Sequence, residues 1–256
     1  MRNEEYFIPG IYNYCDRWCE QCPFSGQCRN FQAQPIKEKH GQGFGEEYSL
    51  DSLPENLQDA VLMLEQAAQE RGIDWEDIQK AAESFEEEEL EYTPTQLDLI
   101  KRSKQYYKLA SIWLDSNEYL ISQKEEEIQR KDDLGINVEQ EVEDLNNALN
   151  SIYHYIYFIH TKISRAVDSL HDKWMLEEYP IQNDANGTAK ITLIAIGKSI
   201  KSWDTIRKQI PDSEDNVLDL LVILSRMESG IQKEFPNTEG FIRPGFDEVV
   251  YPVSNR

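Results

Sequence analysis

The chain of 256 residues carries 48 acidic against 26 basic side chains, a formal net charge of -22 and a pI near 4.5; such a field repels polyphosphate backbones and anionic bilayers, and so argues against nucleic acid and membrane as partners. Its length suffices to bury a sizeable core without covalent staples. No run of about 18 apolar residues occurs and no apolar leader follows Met1-Arg2-Asn3-Glu4-Glu5, so a cytoplasmic protein is expected.

In chain order, residues 1–35 hold all four cysteines, Pro9, Pro23 and Pro35, and no sustained helical period; they are expected to form a small irregular cap. Residues 36–94 are expected to be a connector, with Gly41, Gly43 and Gly45 as a flexible start and two short acidic helices (57–68 and 74–85) broken at Gly72. The run Glu86 to Glu89 reads as a solvated face. Residues 95–236 are expected to supply four long helices. The first covers 95–131, with Thr95 as its cap and Leu99, Tyr106, Ala110, Trp113 and Leu120 on one face. The second covers 138–178 with the clearest seam in the chain: Leu145, Leu149, Ile152, Ile156, Ile159, Ile163, Ala166, Leu170 and Trp174 recur at steps of four and three. The third is capped by Asp184 or Thr188 and ends before Pro211; the fourth is capped by Ser213 and stopped by Pro236. Short connections predict an all-α protein, an antiparallel helical bundle with a metal-binding cap and an extended tail over 237–256.

The chemistry is concentrated in Cys15, Cys19, Cys22 and Cys28, spaced C-x3-C-x2-C-x5-C. Disulfides here could close only tiny loops, where the entropic gain is smallest, whereas converging thiolates need a cation to neutralise them. Crowded ligands and Pro23 directly after Cys22 resemble iron–sulfur loops, while compact zinc loops use the same donors. The four cysteines are therefore expected to be metal ligands, for a zinc ion or a 4Fe–4S cluster alike. The first three also carry the C-x3-C-x2-C spacing of radical S-adenosylmethionine enzymes, but a fourth Cys and the lack of any βα succession speak against that barrel.

The segment Ile11-Tyr12-Asn13-Tyr14-Cys15-Asp16-Arg17-Trp18-Cys19-Glu20, with Asp184-Ala185-Asn186-Gly187, Phe235-Pro236 and Arg243-Pro244-Gly245-Phe246-Asp247, resembles a group of bacterial proteins of unassigned activity that open on this Cys motif. The resemblance implies a bacterial, cytoplasmic setting and brings no reaction with it.

Other candidates are weaker. A carboxylate-bridged di-iron bundle needs two Glu-x-x-His motifs, and only the half-match Asp168-x-x-His171 is present. His154 and His160 read as partly buried structural histidines, Lys162 and Arg165 as partners for acidic neighbours or an anion, and Asp184 to Thr188 as a turn feeding a helix N-terminus. No nucleophile–base or phosphate-loop signature occurs, so the catalytic and cofactor-binding residues stay open. The first expectation is a binding or accessory protein, for a protein or small-molecule partner, with a structural Cys centre. A redox or sensory iron–sulfur protein, and an enzyme with a pocket between helices, are the alternatives.

Overall fold

The computed structural model describes residues 7–33, 68–69, 72–83 and 90–248. The expected helix over 57–67, the glycine-rich connector and the Glu86 to Glu89 run lie outside them. The described parts of Met1–Gln32 and Glu91–Arg256 form one compact unit, and those of Ala33–Leu90 a second. The cap is thus continuous with the helical body, and the unit boundary falls after Gln32.

The described residues are helical, with α1 at Arg29–Ala33, α2 at Trp75–Glu83, α3 at Pro94–Ser116, α4 at Glu118–Asp133, α5 at Glu139–Asp168, α6 at Lys173–Glu178, α7 at Asp184–Gln209 and α8 at Glu214–Glu234. Four of the expected boundaries need correction. Thr93, not Thr95, caps α3: its hydroxyl accepts from Gln96 N–H while the Gln96 side chain accepts from Thr93 N–H. Pro94 forces an extended Thr93 and fits the first helical position. The expected 95–131 helix breaks at Asn117, whose amide bonds the Trp113 carbonyl. The expected 138–178 helix ends at Asp168: the chain tightens into a 3-10 turn over Ser169–His171, and Asp172 then caps the separate α6. Trp174 consequently leaves the seam and is 65% exposed. Finally, Asn183 caps α7 by accepting from Asn186 N–H, which frees Asp184 to pair elsewhere and leaves Thr188 buried inside the helix.

The four long helices close a ring, α3 against α5 and α8, and α7 against α5 and α8. Paired side chains set their directions. Asp184 at the start of α7 meets Arg165 near the end of α5, and Gln209 at the end of α7 meets the Glu141 carbonyl at the start of α5; Gln96 at the start of α3 meets Glu234 at the end of α8. These pairs run antiparallel. In the middle Trp113 and Trp203 cross edge to face at 5.0 Å, and Trp203 Nε1 donates to the buried Tyr106 hydroxyl. Among the described residues no helix is long and apolar enough to cross a membrane. The tail is not extended throughout: Thr238–Gly240 is a 3-10 turn, and a second turn at 244–247 brings Phe246 edge-on to Phe24 of the cap at 5.0 Å.

Candidate metal centre

Between Gly10 and Cys28 the chain turns three times in 3-10 segments, Ile11–Asn13, Cys19–Gln21 and Ser25–Gln27. Each turn carries or precedes a cysteine. Cys22 N–H bonds the Cys19 carbonyl and Cys28 N–H the Ser25 carbonyl, which sets the C-x2-C step and the approach of the last cysteine. Arg17, at φ 58, is the non-glycine residue in the left-handed region, and its backbone hydrogen-bonds the Cys15 thiol and favours the ionised sulfur.

Cys15, Cys19, Cys22 and Cys28 line one cavity of about 20 Å³, walled by Ile11, Trp18, Phe31 and Phe246. All four are free thiols. Among the described residues no group of three or more His, Cys, Asp or Glu side chains is gathered closely enough to hold a metal ion as it stands. Burial pushes the Cys15 thiol up, and Cys19 rises to about 11 through burial and the fields of Cys15, Glu20, Cys22 and Cys28. The sulfurs therefore sit in one another's field, and a cation is what would let them ionise together. The donor set suits a thiophilic ion.

The loop's other side chains point into the body. Asp16, next to Cys15, accepts from Tyr155 and Lys198, each at 2.8 Å, while its carbonyl accepts from His154 Nε2 at 2.8 Å. Burial raises the Asp16 pKa, but the hydrogen bonds from Lys198 and Tyr155 outweigh it and hold the carboxyl below its usual range. Trp18 stacks on His154 at 4.6 Å and meets Tyr155 edge-on. Tyr14 donates to Asp184, which also holds Arg165 and Ser169, and packs edge-on against Phe241. Tyr155 and Lys198 were not singled out by spacing; Asp16 and Tyr14 were marked only by their place in the segment that carries the Cys motif.

The remaining sequence candidates are dispersed. His154 belongs to the cap contact. His160 takes Nδ1 to Ser103, whose hydroxyl already donates to the Ile100 carbonyl, so Nδ1 is the donor there. Asp168 accepts from Tyr92, and His171 Nε2 donates to the Glu91 carbonyl, so the half-motif holds two separate partners. Lys162 is 5% exposed; burial, with Arg165 and Arg17 nearby, lowers its pKa to about 8. Asp184 to Thr188 form the first turn of α7 rather than a loop. Gly187 is required there, since a Cβ would stand 2.5 Å from both Tyr14 and Phe241.

A wider cleft of about 760 Å³ opens along α5, α6 and the start of α7, lined by His160, Arg165, Asp168, Asp172 and Asp184 among others. Its charged groups are already engaged: Arg165 with Asp184, Asp168 with Tyr92, and Asp172 with Met175 N–H. No protein-family model matches this chain, and no curated protein or solved structure is significantly similar to it.

Proposed function

We propose that Cys15, Cys19, Cys22 and Cys28 hold a single metal ion, most simply zinc, and that this centre is a structural clamp on a binding or accessory protein. The observation that carries the reading is the small cavity shared by all four thiols. Four thiolates complete a tetrahedral shell, and closed shells of this kind serve folding rather than catalysis. The anchors support the same role: Asp16, Trp18 and Tyr14, interleaved with the ligands, each engage the helical body. The body then offers its faces to a protein or small-molecule partner.

Metal analysis of protein purified without air tests this. The expected result is colourless protein with one zinc per chain, lost on Cys22→Ser, because a hydroxyl is a poor replacement for thiolate. Brown protein with iron and sulfide would overturn the structural reading in favour of redox or sensing, and full metal occupancy in the Cys22→Ser protein would remove Cys22 from the ligand set.

A further inference from the structure

Lys162 is a buried cation that no carboxylate of the described residues pairs with. It sits on α5 with 5% of its surface exposed, its ammonium 3.4 Å from the Asn13 carbonyl and 5.4 Å from the centre of the Phe158 ring. It forms no ion pair with a carboxylate among the described residues. The acidic group in its field, Asp184, is committed to Arg165, Ser169 and Tyr14, and the other cations near it, Arg165 and Arg17, only add to the positive charge. Removing an ammonium from water costs several kcal/mol unless an anion or a full set of acceptors replaces the lost hydration. One long hydrogen bond and one ring face are not such a set.

What else lies in its field is Cys15. The Asn13 carbonyl that Lys162 touches is two residues before that cysteine, at the end of the 3-10 turn that precedes it. A divalent ion with four thiolates carries a formal charge of about -2; Arg17 lines the same cavity, and a charge of that size in a largely enclosed pocket calls for a further fixed cation close by, beside the negative charge that Asp16 adds there. Lys162 reaches the cap from α5, where the Asn13 carbonyl and the Phe158 ring hold its ammonium.

We infer that Lys162 is the buried counter-charge of the four-cysteine centre, a positioning residue that sets its metal affinity and ties occupancy of the cap to α5. The inference rests on the metal reading above. It also accounts for a lysine at a buried position of α5.

The test is zinc affinity of the full chain by competition with a chromophoric chelator, for the wild type, Lys162→Met, Lys162→Gln and Lys162→Arg, with thermal unfolding of each metal-free protein. Loss of an outer-shell partner typically weakens a metal site about 10- to 100-fold. That loss is expected for Lys162→Met and Lys162→Gln, with Lys162→Arg close to wild type. Metal-free Lys162→Met is expected to unfold no earlier than metal-free wild type, since the variant buries no unpaired charge. A lysine that merely packs would show the reverse, lower metal-free stability at unchanged affinity, and that overturns the inference. If Lys162→Met does not fold, Lys162→Gln against Lys162→Arg decides, equal affinities being the refuting outcome. A wild type that binds no zinc overturns the metal reading itself, and this inference with it.

Discussion

Asp16 and Lys198 lie 182 residues apart in sequence and 2.8 Å apart in space. The same carboxylate oxygen accepts from Tyr155, and the residue before Asp16 is the first cysteine of the motif. That one carboxylate thus joins the cysteine loop to both α5 and α7.

Asp16→Ala should leave the buried Tyr155 hydroxyl without its acceptor. An orphaned buried donor costs about 1–3 kcal/mol, and for a chain of this size each kcal/mol lowers Tm by roughly 2–4 °C. Thermal unfolding by circular dichroism measures the drop; an unchanged Tm would mean that the contact contributes nothing.

Two glycines of α7 should respond in opposite directions to alanine. Alanine in a helix interior gains up to about 1 kcal/mol over glycine. At Gly197 a Cβ meets nothing within 4 Å, so Gly197→Ala should stabilise. At Gly187 the Cβ would meet Tyr14 and Phe241 at 2.5 Å, and overpacking of this kind costs about 1–3 kcal/mol. Gly187→Ala should therefore be net destabilising and displace Tyr14 from Asp184. Denaturant midpoints of the two variants, compared with wild type, check both signs.

The tail should detach in acid. Burial raises the Asp247 pKa, but hydrogen bonds from the side chain and backbone of Arg243, and from Lys190, outweigh it and hold the carboxyl well below the usual carboxylate range. A folded-state pKa below the unfolded value of about 3.9 stabilises at pH above that value and is lost as pH falls through the folded one. Stability of the wild type should thus fall below about pH 4 more steeply than that of Asp247→Asn, which carries no titrating group at this position. Parallel pH–stability curves would contradict the assignment.

Deleting residues 1–32 tests whether the cap is separable. From sequence, a 35-residue cap reads as an appendage whose removal leaves soluble helices, unless Trp18, Phe24 and Phe31 pack against the rest. Trp18 does pack, on His154 and Tyr155, and Phe24 meets Phe246 of the tail. The deletion should therefore bare the Tyr155, Phe241 and Phe246 surface and drive association. Size-exclusion chromatography is expected to show oligomers or aggregate; a helical monomer would restore the separable cap.

What was legible in the sequence was what is periodic. Leu145, Ile152, Ile156, Ile159 and Ile163 recur on one face of α5, and all are buried. The end of that helix was not legible, because Trp174 continues the apolar step while the chain tightens into a 3-10 turn over Ser169–His171 and Asp172 starts a new helix by capping Met175 N–H. Of the adjacent Asn183 and Asp184, either suits a cap; Arg165, on another helix, claims the aspartate and leaves the cap to the asparagine. The cysteines announced themselves by spacing, whereas Tyr155, Lys198 and Lys162 are joined to them only by the tertiary fold.

X-ray absorption at the zinc edge of the purified full-length protein tests the central claim most directly. Four sulfur neighbours at about 2.3 Å around one zinc per chain are predicted. A shell dominated by nitrogen or oxygen, an iron–sulfide signature in place of zinc, or protein that carries no stoichiometric metal would contradict it.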